Sequence, residues 1–255
     1  MSLLVIDVGN TRLKWACYEG RALRSHATLL TADAISASTL TLEWQDLQPT
    51  SAIVSNVAGA EIAASIKQVL AMKGIDPRLI VSVASQCGVT NGYALPHQLG
   101  TDRWAALIGA HRTRPARCAK VVVMAGTALT VDALSADGKF LGGIITPGLG
   151  VMRHALHLRT AQLPFGVGNF ELFPTNTVNA IATGAIDACV GAISRMLARL
   201  SEIDNHATTP IVIASGGAVA LLAPHAPFPL TIHENLVLEG LLHIALEGHQ
   251  ESHPY

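Results

Sequence analysis

Two stretches of the chain share one pattern, and together they limit the fold more than anything else in it. Val5-Ile6-Asp7-Val8-Gly9-Asn10-Thr11 is an apolar run closed by a glycine turn. Val122-Val123-Met124-Ala125-Gly126-Thr127-Ala128 repeats it 117 positions later. Each is followed by an alternating segment, a second turn (Glu19-Gly20 and Asp137-Gly138) and a third segment of strand character. Short apolar runs bounded by glycine turns read as buried strands. Repetition at this spacing implies two related halves, residues 1–115 and 116–255, each opening on a three-stranded meander.

The rest of the chain fits that frame. Helical spacing covers 32–44, 59–72, 101–114, 176–200 and 234–247, with short apolar strands at 51–56, 79–83 and 211–214. Strands alternating with helices predict an α/β protein with mixed sheets. Half of the 255 residues are apolar, so a large core is available. A net charge of −1 with no basic stripe argues against nucleic acid as a partner. Asp7 interrupts the first apolar run and no basic segment precedes it, so no signal peptide is expected and the expected location is cytoplasmic. Residues 205–233 lack charge, yet Pro210, Pro224, Pro227 and Pro229 with Gly216 and Gly217 break them, which speaks against a membrane span. Cys17, Cys87, Cys118 and Cys189 form no CxxC pair and read as buried thiols.

The first turn has the makings of a phosphate loop. Glycine lets a ligand approach the backbone, and consecutive N–H groups at such a turn form a nest for anions. Asp7 at the strand end suits Mg²⁺, which binds through one or two carboxylates plus substrate phosphates. Asn10 and Thr11 add donors, and Lys14 follows on the next strand as a point charge. The same residues are also ordinary hairpin chemistry, so the turn alone decides nothing. No G-x-x-x-x-G-K-[ST], G-x-G-x-x-G, H-E-x-x-H or G-x-S-x-G occurs, which excludes P-loop, dinucleotide-binding, zincin and serine-hydrolase readings. His154 and His157 lack the i, i+4 spacing of a helical zinc pair. A second constellation is Tyr93 followed by Gly100-Thr101-Asp102-Arg103-Trp104. An Asp and an Arg at a helix start offer a proton acceptor for a hydroxyl and a fork for an anion, although Asp there also serves the helix dipole.

Taken in order, these residues resemble the type III pantothenate kinases, the family also named after the Bvg accessory factor. The matching elements are Asp7-Val8-Gly9-Asn10-Thr11 with Lys14, Tyr93, Gly100-Thr101-Asp102-Arg103, Gly126-Thr127-Ala128 with Asp132, Gly142 to Gly148, Ala161-Gln162-Leu163-Pro164, Asn176-Thr177, Thr183-Gly184 and Ser215-Gly216-Gly217. The resemblance spans nearly the whole chain. It implies an actin/hexokinase-like fold of two ribonuclease-H-like domains with an interdomain nucleotide cleft, and ATP-dependent phosphorylation of the terminal hydroxyl of pantothenate. It further implies that Asp7, Val8, Gly9, Asn10, Thr11, Arg12, Leu13 and Lys14 with Thr127 contact ATP, with Mg²⁺ at Asp7. Tyr93, Gly100, Thr101, Asp102 and Arg103 would bind pantothenate, with Asp102 as general base. Thr183 would reach the neighbouring site of a homodimer, for which the small-residue helix from Ala180 to Ala192 is suited.

The chain departs from the family pattern at one point. The resemblance implies a monovalent cation, K⁺ or NH₄⁺, held near an Asp where this chain has Met124, and a thioether is a poor ligand for a hard cation. Two other readings of the residues remain open: a kinase for another small molecule, such as a sugar, and a non-catalytic accessory protein.

Overall fold

The computed structural model describes residues 2–160, 166–203 and 209–250. The chain forms two compact units. One runs to Arg112 and takes the chain back from Asn235; the other spans Thr113–Glu234. The division into 1–115 and 116–255 therefore does not describe the packing of the closing helix.

The first unit opens with β1 (Ser2–Val8), β2 (Arg12–Glu19) and β3 (Ala22–Leu30), an antiparallel meander. Two short helices follow, α1 (Thr31–Ala34) and α2 (Ala37–Glu43), where a single helix over 32–44 was expected. Next come β4 (Ser51–Asn56) and α3 (Ala60–Met72). Only Arg78–Leu79 pairs as β5, shorter than the expected 79–83. A small hairpin, β6 (Ser85–Gln86) with β7 (Val89–Thr90), precedes α4 (Thr101–Arg112). The main sheet has the order β3-β2-β1-β4-β5, with β4 and β5 parallel to β1. β1 lies in the middle, and Leu4, Val5, Ile6 and Val8 are wholly buried. Burial on both faces explains why it reads as a continuous apolar run rather than an alternating one.

The second unit repeats that plan. β8 (Lys120–Ala125), β9 (Ala128–Leu134) and β10 (Phe140–Pro147) form the meander, followed by α5 (Leu149–Arg159) and α6 (Thr177–Ile203). β11 (Ile211–Ser215), α7 (Val219–Leu222) and β12 (Leu230–Ile232) complete it. The order β10-β9-β8-β11-β12 matches the first sheet strand for strand, with the same parallel and antiparallel pairings. The repeat legible in seven residues is thus a repeat of whole sheets. α6 is long and apolar enough to cross a membrane by composition alone, but Ala185, Cys189, Ile193, Met196 and Leu200 are buried in the unit's core.

The last helix, α8 (Leu236–Gln250), packs on α4 through glycines. A Cβ on Gly240 would lie 1.8 Å from the Ala105 carbonyl oxygen, and one on Gly109 would lie 2.4 Å from that of Leu236. Glycine inside a helix costs about 1 kcal/mol relative to alanine. Here it permits backbone-to-backbone packing that holds α4, and with it the residues at its N-terminus.

Candidate active site

The first turn is short and braced. Val8 and Leu13 are the last paired residues, so Gly9-Asn10-Thr11-Arg12 make the bend, closed by the Gly9 N–H on the Arg12 carbonyl at 3.0 Å. Val8 and Leu13 are fully buried, so of the eight residues from Asp7 to Lys14 these two offer a ligand only backbone. Asn10, Thr11 and Arg12 are exposed. Thr31, at the start of α1, ties the turn down: its hydroxyl donates to the Gly9 carbonyl at 2.7 Å and its N–H to the Thr11 carbonyl at 3.0 Å. Sequence reasoning missed Thr31. Its only signal is a threonine just after a strand at a helix start, which is common.

Asp7 sits in register between Lys14 on β2 and Ser55 on β4. Its Oδ1 is buried without a hydrogen-bond partner. Burial, reinforced by the charge of Asp102, pushes its carboxyl up to about 7, against the pull of Lys14. An orphaned, desolvated carboxylate oxygen beside a turn whose Asn10, Thr11 and Arg12 are exposed fits a hard divalent cation that arrives with phosphate.

Asp102 enters this site from α4. Ser55 and Thr101 join by a hydroxyl–hydroxyl hydrogen bond of 2.9 Å, which fixes the helix start to the strand beside Asp7. Asp102 Oδ1 accepts the Arg103 N–H at 2.8 Å. Burial raises the Asp102 carboxyl above its ordinary value, opposed by that N–H and by the Arg103 charge. A Cβ on Gly100 would meet Asp102 Oδ1 at 2.6 Å, so the carboxylate lies in a cradle that only glycine leaves open. Gly100→Ala should displace it.

Arg103 is 4% exposed, deeper than a free anion fork would be. Its guanidinium lies 5.8 Å from the Tyr93 ring centroid, and its Nη1 donates to the Tyr93 hydroxyl at 3.2 Å. Asn91 holds the Tyr93 segment, accepting the Tyr93 N–H at 3.0 Å and donating to the Pro96 carbonyl at 3.2 Å. Asp7, Lys14, Gly100, Thr101, Asp102, Arg103 and Tyr93 all belong to the first unit.

Thr127 and Thr183 belong to the second. Ala125 and Leu129 flank Gly126-Thr127-Ala128, one residue fewer than in the first turn, so the offset of the repeat drops by one after the glycine. Thr127 is exposed. A Cβ on Gly148 would lie 2.2 Å from the Gly126 carbonyl, and one on Gly216, whose φ is +112°, 2.4 Å from that of Ala125. Backbone crowds this turn where side chains frame the other. Met124 stands in register between Thr130 and Ser215, as Asp7 does between Lys14 and Ser55. Asp132 is 1% exposed inside β9. Thr183 is 6% exposed, and its hydroxyl accepts the Glu171 N–H at 3.1 Å. The Ala161-Gln162-Leu163-Pro164 match lies outside the described residues.

Known proteins give the arrangement its family. The model of the type III pantothenate kinases matches residues 3–199. The type III pantothenate kinase of Nitrosospira multiformis is 43% identical over 96% of this chain and 91% of its own length. That of Dechloromonas aromatica is 41% identical over 96% and 100%. Among solved structures, a conserved protein described as a Baf family transcriptional activator of Campylobacter jejuni superposes with a TM-score of 0.62 at 19% identity, covering 97% of this chain and 99% of that one. MreB 5 of Spiroplasma citri bound to AMPPNP reaches 0.52 at 9% identity, covering 98% of each. These structural likenesses show an actin/hexokinase-like fold. With its doubled sheet, its braced Asp7 turn and its relatives along the full length, the chain belongs to the type III pantothenate kinase family.

Proposed function

We propose that this protein transfers the γ-phosphoryl group of ATP to the terminal hydroxyl of pantothenate, in the cytoplasm. The observation that carries the reading is the joining of two carboxylates with different surroundings in one unit: Asp7 at the strand end, and Asp102 at the helix start fixed to it through Ser55 and Thr101. Phosphoryl transfer needs positioning and charge neutralisation more than covalent chemistry. The exposed turn at Asn10, Thr11 and Arg12 and the Lys14 ammonium take the phosphates. Mg²⁺ fits at Asp7, where it would neutralise phosphate charge. Asp102, its Oδ1 pinned, uses its second oxygen to accept the hydroxyl proton. Arg103 holds Tyr93 against the pantothenate.

A monovalent cation fits less well. Met124 offers sulfur where the family pattern has a carboxylate. We further propose that the chain works as a homodimer. Val167, Leu172 and Phe173 are 90%, 82% and 89% exposed, and α5 with α6 forms an apolar groove lined by Met152, Leu156, Ile181 and Ala185. For Thr183 to serve a neighbouring site, its hydroxyl must exchange the Glu171 backbone for substrate.

A coupled ADP-release assay with pantothenate tests the reading. Turnover is expected with pantothenate and not with sugars, and replacing K⁺ by Na⁺ should change the rate less than about twofold. Turnover with sugars alone, or none in any salt, would overturn the assignment. A many-fold stimulation by K⁺ would show that the cation site is rebuilt from other groups.

A further inference from the structure

We propose that Glu247, on the closing helix, is a positioning residue for the pantothenate side of the site, acting through the Cys87-Gly88 turn on Tyr93. The inference rests on the reading that Tyr93 and Arg103 hold pantothenate.

The hairpin that leads to Tyr93 is weak in itself. β6 and β7 pair at only two positions, Ser85 with Thr90 and Gln86 with Val89. A two-stranded ribbon this short does not hold its shape alone in water. Its turn residues both have positive φ, +51° at Cys87 and +77° at Gly88. A two-residue hairpin turn of this hand favours Asn, Asp or Gly at its first position, so Cys87 is strained there by on the order of 1 kcal/mol. Something outside the hairpin must hold it.

Glu247 and Arg112 do so from either side of one peptide residue. The Glu247 carboxylate accepts the Cys87 N–H with both oxygens, at 2.9 and 3.0 Å, and the Cys87 thiol at 3.1 Å. Arg112 donates to the Cys87 carbonyl at 3.0 Å. Charge-assisted bonds of this kind are about twice as strong as neutral ones. Burial and the Glu247 contact push the Cys87 thiol up to about 12, so it stays a thiol and a donor. From the turn the chain of contacts runs forward. Gln86 accepts the Trp104 indole N–H at 3.2 Å, the Asn91 N–H reaches the Ala84 carbonyl at 2.9 Å, and Asn91 holds the Tyr93 N–H. Glu247 lies 160 residues from Cys87, and no mechanism given to Asp7 or Asp102 uses it.

Glu247→Ala in the full-length enzyme should raise the KM for pantothenate about 10-fold while kcat and the KM for ATP stay within about twofold. Glu247→Gln, which keeps an acceptor for the Cys87 N–H, should fall between. An unchanged pantothenate KM in Glu247→Ala, or equal rises for both substrates, would overturn the proposal. If Glu247→Ala does not fold, the same comparison in Glu247→Gln decides. Tyr93→Phe separates the two ways of failing. A raised pantothenate KM in Tyr93→Phe beside an unmoved Glu247→Ala sinks the clamp alone, whereas no change in either sinks the pantothenate site and the clamp together.

Discussion

Asp102→Asn should bind both substrates and turn over about 10²- to 10⁴-fold more slowly, the range that a positioned general base contributes. The amide keeps the shape that Gly100 and the Arg103 N–H cradle, so the loss falls on proton acceptance rather than on binding. A pre-steady-state or single-turnover measurement separates the two. A kcat within a few-fold of the unaltered enzyme would remove Asp102 from the chemistry. The same variant reports on its neighbour. Because the Asp102 charge helps to raise the Asp7 carboxyl, its removal should move the Asp7 titration to lower pH. In the unaltered enzyme both carboxyls are raised by burial, so the acid limb of kcat/KM should lie above the ordinary carboxylate range.

What the sequence disclosed about this site follows from where the information lay. Asp7, Gly9 and Lys14 were legible because strand, turn and strand are contiguous, and their register needs no distant partner. Asp102 was legible as a helix start. Its pairing with Asp7 was not, because that depends on Ser55 and Thr101 meeting across 46 residues. Nor was the burial of Arg103 under Tyr93, since a guanidinium at a helix N-terminus reads as a surface group until a ring covers it. The return of α8 to the first unit was hidden for a similar reason. Gly109 and Gly240 look like helix-weakening residues in isolation, and their close approach appears only when both helices are in place. The shorter second turn shows the limit of a fixed-offset comparison. The strands before the turn align at 117, but hydrogen-bond register, not residue count, decides which residues correspond beyond it.

Asp7→Asn should abolish most activity and yet stabilise the ligand-free protein at alkaline pH. The loss of the carboxylate removes a buried oxygen suited to Mg²⁺, and electrostatic stabilisers of this kind are worth about 10²- to 10³-fold or more in rate. Stability moves the other way. The folded carboxyl titrates at about 7, against 3.8 in its unperturbed state. Below 3.8 both states hold the proton and the folded protein suffers no penalty. Between 3.8 and about 7 the folded state keeps a proton that the unfolded chain has released, so stability falls as pH rises. Above 7 the penalty is constant, on the order of 4 kcal/mol at 1.36 kcal/mol per unit for a fully shielded group, and less for one that keeps some exposure. Asparagine carries no charge to desolvate. The melting temperature of Asp7→Asn should therefore match that of the unaltered protein near pH 4 and exceed it by several degrees at pH 8. Adding Mg²⁺ with ATP should reverse the order, since binding to the folded state stabilises only the protein that retains the site. Melting curves at the two pH values, with and without Mg²⁺–ATP, read all of this at once. Equal melting temperatures at pH 8 would mean that Asp7 is better solvated than its buried oxygen implies, and an Asp7→Asn protein still stabilised by Mg²⁺–ATP would place the metal elsewhere.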